Sequence, residues 1–171
     1  MELVFVAPEL RALDASRAEL LVVGVWEDVR PFTGTSGLVD YRLHGALSRL
    51  AEEGFLTGKL GETLLVAGRP RTPFDKVLVL GAGRRRDFDK TRFDAVLGAL
   101  LRALDDLRAK RVFIELPGRH DGALPIDMAA EVVLHIAAID PEISITWVEH
   151  AAGQEGILTR RDDERRRARR T

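Results

Sequence analysis

The sequence predicts an α/β fold: a mixed, mostly parallel sheet with helices on both faces. Three observations lead there. Apolar runs of strand length recur, such as LLVVGV at residues 20–25 and KVLVL at 76–80, with little polar alternation, as strands covered on both sides require. Other segments carry apolar residues at helical spacing. The two kinds alternate along the chain, which is the pattern of strand–helix–strand units.

Each element has its own warrant. Residues 3–7 form a short apolar run and read as the first strand; residues 20–25 read as the second. Leu43, Ala46, Leu47, Leu50 and Ala51 then fall at i, i+3, i+4, i+7 and i+8, one stripe of a helix that follows a glycine-bearing loop. Gly54 comes next, where a left-handed C-terminal cap belongs. Residues 63–67 and 76–80 are strands, and GRPRTPFD between them, with two prolines, is a turn. Residues 90–107 place Phe93, Val96, Leu97, Leu100, Leu104 and Leu107 on one helical face, with Asp87 or Asp89 available as the cap. Residues 111–116 are a strand. A helix over 125–139 starts on proline and has a broad apolar face, and 143–148 is the last strand. Trp26 and Trp147 end or lie within strands and read as packing residues.

Length and composition bound the function. The 171 residues suffice for one well-buried domain and not for two. Hydrophobic content of 46% beside 31% charged residues excludes a disordered chain. No apolar run approaches the ~20 residues that cross a bilayer, and MELVFVAPEL lacks the basic start of a signal peptide. Cysteine is absent, so thiolate metal sites and cysteine nucleophiles are excluded, and a cytoplasmic location is the expectation. A net charge of -1 offers no general attraction to nucleic acid or membrane. The charge is uneven, however. Seven arginines against four acids put residues 151–171 at +3 and leave residues 1–150 at -4. After Leu158 the only apolar residue is Ala168, so residues 151–171 are expected to be a flexible arginine-rich tail.

Four motifs, in order, carry a family resemblance. LLVVGVWED is a strand ending on Glu27 and Asp28. GLVDYRLHGALSRLAEEGFLTGKLGETLLV is a helix, a Gly-x-x-Gly turn at Gly58 and Gly61, and a strand. KVLVLGAG is a strand closing on Gly81 and Gly83, and DFDKTRFDAVLGALLRAL opens the next helix. Together they span residues 19–107. In this order the chain resembles the N-terminal domain of leucyl aminopeptidases, the cytosol aminopeptidase family. The resemblance implies a macro-like, three-layer α/β/α domain over residues 1–150. In that family the two metal ions and the catalytic lysine and arginine belong to the C-terminal half, in a segment like NTDAEGRL, and nothing similar occurs here. No catalytic residue of the family maps onto this sequence. The resemblance therefore implies a non-enzymatic accessory domain with no cofactor and no metal. Its implied partner is a second copy of itself or an aminopeptidase catalytic chain.

Candidate chemistry concentrates on two loops. RPFTGTSG, residues 30–37, brings Gly34, Thr35, Ser36 and Gly37 to a helix N-terminus, where backbone amides attract anions. In ligand-binding macro domains such a loop holds the diphosphate of ADP-ribose, so a nucleotide-like ligand is the alternative function. Against it, Asp40 falls in the expected first helical turn, where its charge repels an anion. Glu27 and Asp28 also stand where those domains carry an asparagine. The other reading of the loop is a tight turn with Ser36 as helix cap. The second loop, Gly81-Ala82-Gly83-Arg84-Arg85-Arg86, starts like a dinucleotide fingerprint but has Arg86 in place of the third glycine. Its arginines read as a phosphate clamp or as a solvated edge. Asp40 with His44, and His120 with Asp121, each offer two metal ligands where a catalytic zinc needs three protein ligands. Asp40 and His44 read as a surface pair, and all four histidines as non-catalytic. The arginine tail lacks aromatics for stacking on nucleic acid bases.

Overall fold

The computed structural model describes residues 2–139 and 142–169. Strand β2 (Ala18–Val25) is apolar on both sides: Leu20 and Val22 face one layer, Leu21, Val23 and Val25 the other, and all five are buried. This two-sided burial puts β2 in the middle of a six-stranded sheet. The other strands are β1 (Val4–Val6), β3 (Thr63–Ala67), β4 (Phe74–Gly81), β5 (Arg111–Ile114) and β6 (Ser144–Val148), in the order β1-β6-β5-β2-β4-β3. All neighbours are parallel except β3, which runs antiparallel to β4 at the edge.

Helices cover both faces. Leu13 of α1 (Leu10–Asp14), Val39 of α2 (Gly34–Arg42) and Leu47 of α3 (Ala46–Glu52) pack on one side. Phe93 and Leu100 of α4 (Lys90–Leu107), Ala129 and Val133 of α5 (Ile126–Ile139), and Ile157 of α6 (Ala151–Ala168) pack on the other. The result is the expected three-layer arrangement. Asp89, not Asp87, caps α4, accepting from the Arg92 amide at 2.9 Å. Gly54 is left-handed at φ 82 just past α3. Trp26 and Trp147 are buried, as packing residues should be.

Three parts differ from the sequence reading. The helix after the glycine loop is two helices. His44 (φ 55) and Gly45 (φ 76) are left-handed and break it. Asp40 stands in the last turn of α2, not the first turn of the helix, and its carboxylate caps α3 by accepting from the amides of Leu47 (2.8 Å) and Ser48 (3.1 Å) and from the Ser48 hydroxyl. One apolar stripe runs through both helices because both lie on the same sheet face. The expected turn over residues 68–75 is shorter, since Phe74 and Asp75 already belong to β4.

Residues 151–168 are not a flexible tail but helix α6. Its first turns bury Gly153 and Ile157, and Gly156 packs against Ile126 of α5. Beyond them the helix continues on residues with good helical propensity and on pairs such as Arg160–Glu164 (3.4 Å) and Arg166–Asp163 (3.8 Å). Arginines in its last turns also sit at the favourable end of the helix dipole. Arg170 lies outside the described residues.

Candidate functional site

The C-terminal ends of β2, β4, β5 and β6 converge with the start of α2. Parallel α/β sheets place ligands there. The loop before α2 brings Gly34 so close to the 117–123 loop that a Cβ on it would lie 2.5 Å from Cγ of His120. Gly34 is also left-handed, at φ 64. His120 Nε2 pairs with Thr33 Oγ1 at 2.9 Å. Thr35 is buried and donates its hydroxyl to the carboxylate of Glu115, which follows β5 and is 3% exposed. Ser36 Oγ donates to the Thr33 carbonyl at 2.8 Å. The N-cap of α2 is Thr33, not Ser36, and it makes no side-chain capping bond. Gly37 packs on the Phe32 carbonyl.

The second predicted loop is equally occupied. Gly81 donates its N–H to the Glu62 carbonyl at 2.8 Å, and its own carbonyl accepts from Gly61 at 3.0 Å. Gly83 donates to the Gly58 carbonyl (2.9 Å) and accepts from Glu27 (2.9 Å). The Glu62 carboxylate gathers the amides of Thr57 and Gly58, the latter at 2.6 Å. Among the three arginines, Arg85 acts as a staple. Its amide donates to Asp28 (3.0 Å) and its Nε to Asp121 (2.6 Å), while Asp121 also accepts from Trp26 Nε1 (3.0 Å). The 81–86 loop is thus tied to the end of β2 and to the 117–123 loop through Trp26, Asp28, Arg85 and Asp121.

Charged residues passed over in the sequence complete the cluster. Arg119 and Glu149 form a buried two-pronged ion pair, Nε–Oε2 2.8 Å and Nη2–Oε1 3.2 Å, with Gly153 of α6 against the Glu149 carboxylate. Glu115 sits 3.8 Å from Nδ1 of His120. Burial pushes the Glu115 carboxyl from 4.5 up to about 7, against the pull of the Thr35 hydrogen bond and with the charges of Glu149 and Asp121 adding to the rise. Burial lowers His120, with His150 and Arg85 pushing the same way and Asp121 opposing. For Asp121 burial works upward, but the bonds from Arg85, the Ala123 amide and Trp26 and the neighbouring His120 outweigh it and hold the carboxyl low. The sequence signal for this cluster was a glutamate closing each of the apolar runs RVFIE and ITWVE.

Thr33, His120 and Glu115 form a row of hydroxyl, imidazole and carboxylate. The spacing of Glu115 from Nδ1 exceeds a hydrogen bond. The hollow between Trp26, Phe32, Thr33, Ser36 and His120 measures about 10 Å³, room for one water at most. The row lies across the end of β2. His44 of the predicted Asp40–His44 pair accepts from Arg71. Among the described residues, no three His, Asp or Glu side chains gather into a set able to hold a metal ion.

Solved structures similar to this fold are macrodomains. The Mycobacterium tuberculosis DarG macrodomain superposes with a TM-score of 0.69 at 15% identity, over 88% of this chain and 99% of that one. The Oceanobacillus iheyensis macrodomain with ADP gives 0.69 at 11% identity, over 91% and 88%. Sequence relatives are aminopeptidases. The probable cytosol aminopeptidase of Halorhodospira halophila is 36% identical over 101 residues, 59% of this chain and 20% of that protein. That of Chromobacterium violaceum is 30% identical over 125 residues, 71% of this chain and 24% of that protein. The chain thus spans about a fifth to a quarter of the length of the curated relatives it matches. The model of the cytosol aminopeptidase family N-terminal domain matches residues 22–138. This macro-like chain therefore belongs to the cytosol aminopeptidase family, as its N-terminal domain.

Proposed function

We propose that this domain acts by binding and assembly, not by catalysis. Its partner is a second copy of itself or the catalytic chain of a cytosol aminopeptidase, in the cytoplasm. One observation carries the reading: Trp26, Thr33 and His120 crowd the hollow at the end of β2, which measures about 10 Å³. The family match to an N-terminal domain supports it. The cytosol aminopeptidase relatives support the location.

The test is size-exclusion chromatography with light scattering, alone and after mixing with a purified aminopeptidase catalytic portion. A mass above that of the monomer, or co-elution with the catalytic portion, is expected. A strict monomer that never co-elutes would refute the proposal. Leucyl-anilide hydrolysis in manganese or zinc should be absent.

The alternative is a nucleotide or ADP-ribose sensor using Gly34–Gly37 and Gly81–Gly83. It draws on the fold shared with a macrodomain whose structure contains ADP. It requires His120 to leave Gly34 and Thr33, and for that reason it ranks second.

A further inference from the structure

An open hollow of about 750 Å³ lies at the solvent side of α2, between Pro31 and the β3–β4 turn. It adjoins the strand-end hollow, sharing Phe32 with it, and has Gly37 in its wall; its chemistry is independent of the proposed function. Tyr41 forms one wall and is 67% exposed, with the Arg42 guanidinium 5.6 Å from its ring centroid.

The charges around the hollow are unequally satisfied. Arg42 is neutralised by Asp14, Nε to Oδ1 at 3.0 Å. The Asp40 carboxylate is committed to the N-terminus of α3. Arg71 has no carboxylate partner among the described residues; its guanidinium donates to Nδ1 of His44. A guanidinium can only donate, so Arg71 brings a positive charge that no carboxylate beside it offsets.

His44 is also held in strain. Its φ of 55 costs about 1 kcal/mol in a residue with a Cβ. The other non-glycine residue so held among those described, Arg108, caps the end of α4, a usual place for that conformation. At His44 the left-handed turn continues into Gly45, which meets the break without strain. The strained residue is the one that touches Arg71.

From a flat aromatic wall and a guanidinium without a carboxylate partner, both lining one hollow, we infer that this hollow binds a small molecule carrying an oxyanion on a planar ring. The ring lies against Tyr41. The oxyanion, carboxylate or phosphate, accepts from the Arg71 guanidinium beside His44. The guanidinium matches the charge and the two-oxygen face of either anion.

The experiment follows the ring resonances of His44 and Tyr41 by NMR while benzoate, phenyl phosphate or benzyl alcohol is added. Saturable shifts with benzoate or phenyl phosphate and none with benzyl alcohol are expected, and the stronger of the two anions identifies carboxylate or phosphate. Arg71→Gln should weaken binding about tenfold or more, the cost of one charged hydrogen bond. Tyr41→Ala should weaken it too; both side chains are exposed, so neither change threatens the fold. No saturable shift at millimolar anion would overturn the inference. So would equal binding by benzyl alcohol, or unchanged binding by Arg71→Gln.

Discussion

Glu115 is a carboxyl group in a place that favours its neutral form. Its folded value, about 7, lies above the ordinary 4.5. The folded state therefore holds the proton more tightly than the unfolded chain does, and the stability this contributes is full below about pH 4.5 and is lost as pH rises to about 7. The loss is on the order of 3 kcal/mol. The melting temperature should drop across that window, and Glu115→Gln, which keeps an acceptor for Thr35 without the charge, should remove this part of the drop. A variant with the wild-type slope would contradict the assignment. Gly34 makes a second prediction at this scale. Its left-handed φ and the His120 ring against it leave no room for a methyl group, so Gly34→Ala should destabilise by about 2 kcal/mol or more, read by urea unfolding. The glycines were legible because the loop pattern marks them. Their contacts were not, since Thr35 meets Glu115 80 residues away and Thr33 meets His120 87 away. Pairings over such distances leave no local trace.

At the scale of elements, α6 is the instructive case. Its anchoring residue, Ile157, is 1% exposed, and Ile157→Ala should cost about 2–4 kcal/mol in chemical denaturation. Removing residues 164–171 should leave the midpoint nearly unchanged, since 164–169 are exposed. The composition of residues 158–171 argued for a tail because it counted apolar residues and not charge pairs, and helices can be carried by propensity and i,i+4 pairs once a first turn is anchored. The α2–α3 break has a similar lesson. Asp40→Ala should cost about 1 kcal/mol by removing the α3 cap, while Asp40→Asn, which still accepts, should cost less. Strand β3 and helix α4 match their sequence bounds because both begin and end at turn or capping residues, Asp89 among them. The α2–α3 break is hidden by a stripe that never loses phase.

At the scale of the molecule, the sheet and its two helical layers were legible, because strands buried on both faces carry no polar alternation and need covering on each side. The state of the strand ends was not, since it depends on whether His120 fills the space over Gly34, a question of side-chain packing. The central claim is a macrodomain-like sheet whose ligand end is locked by its own residues. Calorimetric titration of the wild-type chain with ADP-ribose tests it most directly. The locked site predicts no saturable heat up to millimolar ligand. A saturable isotherm in the micromolar range would mean that the strand ends form an open cleft, and would contradict the locked site.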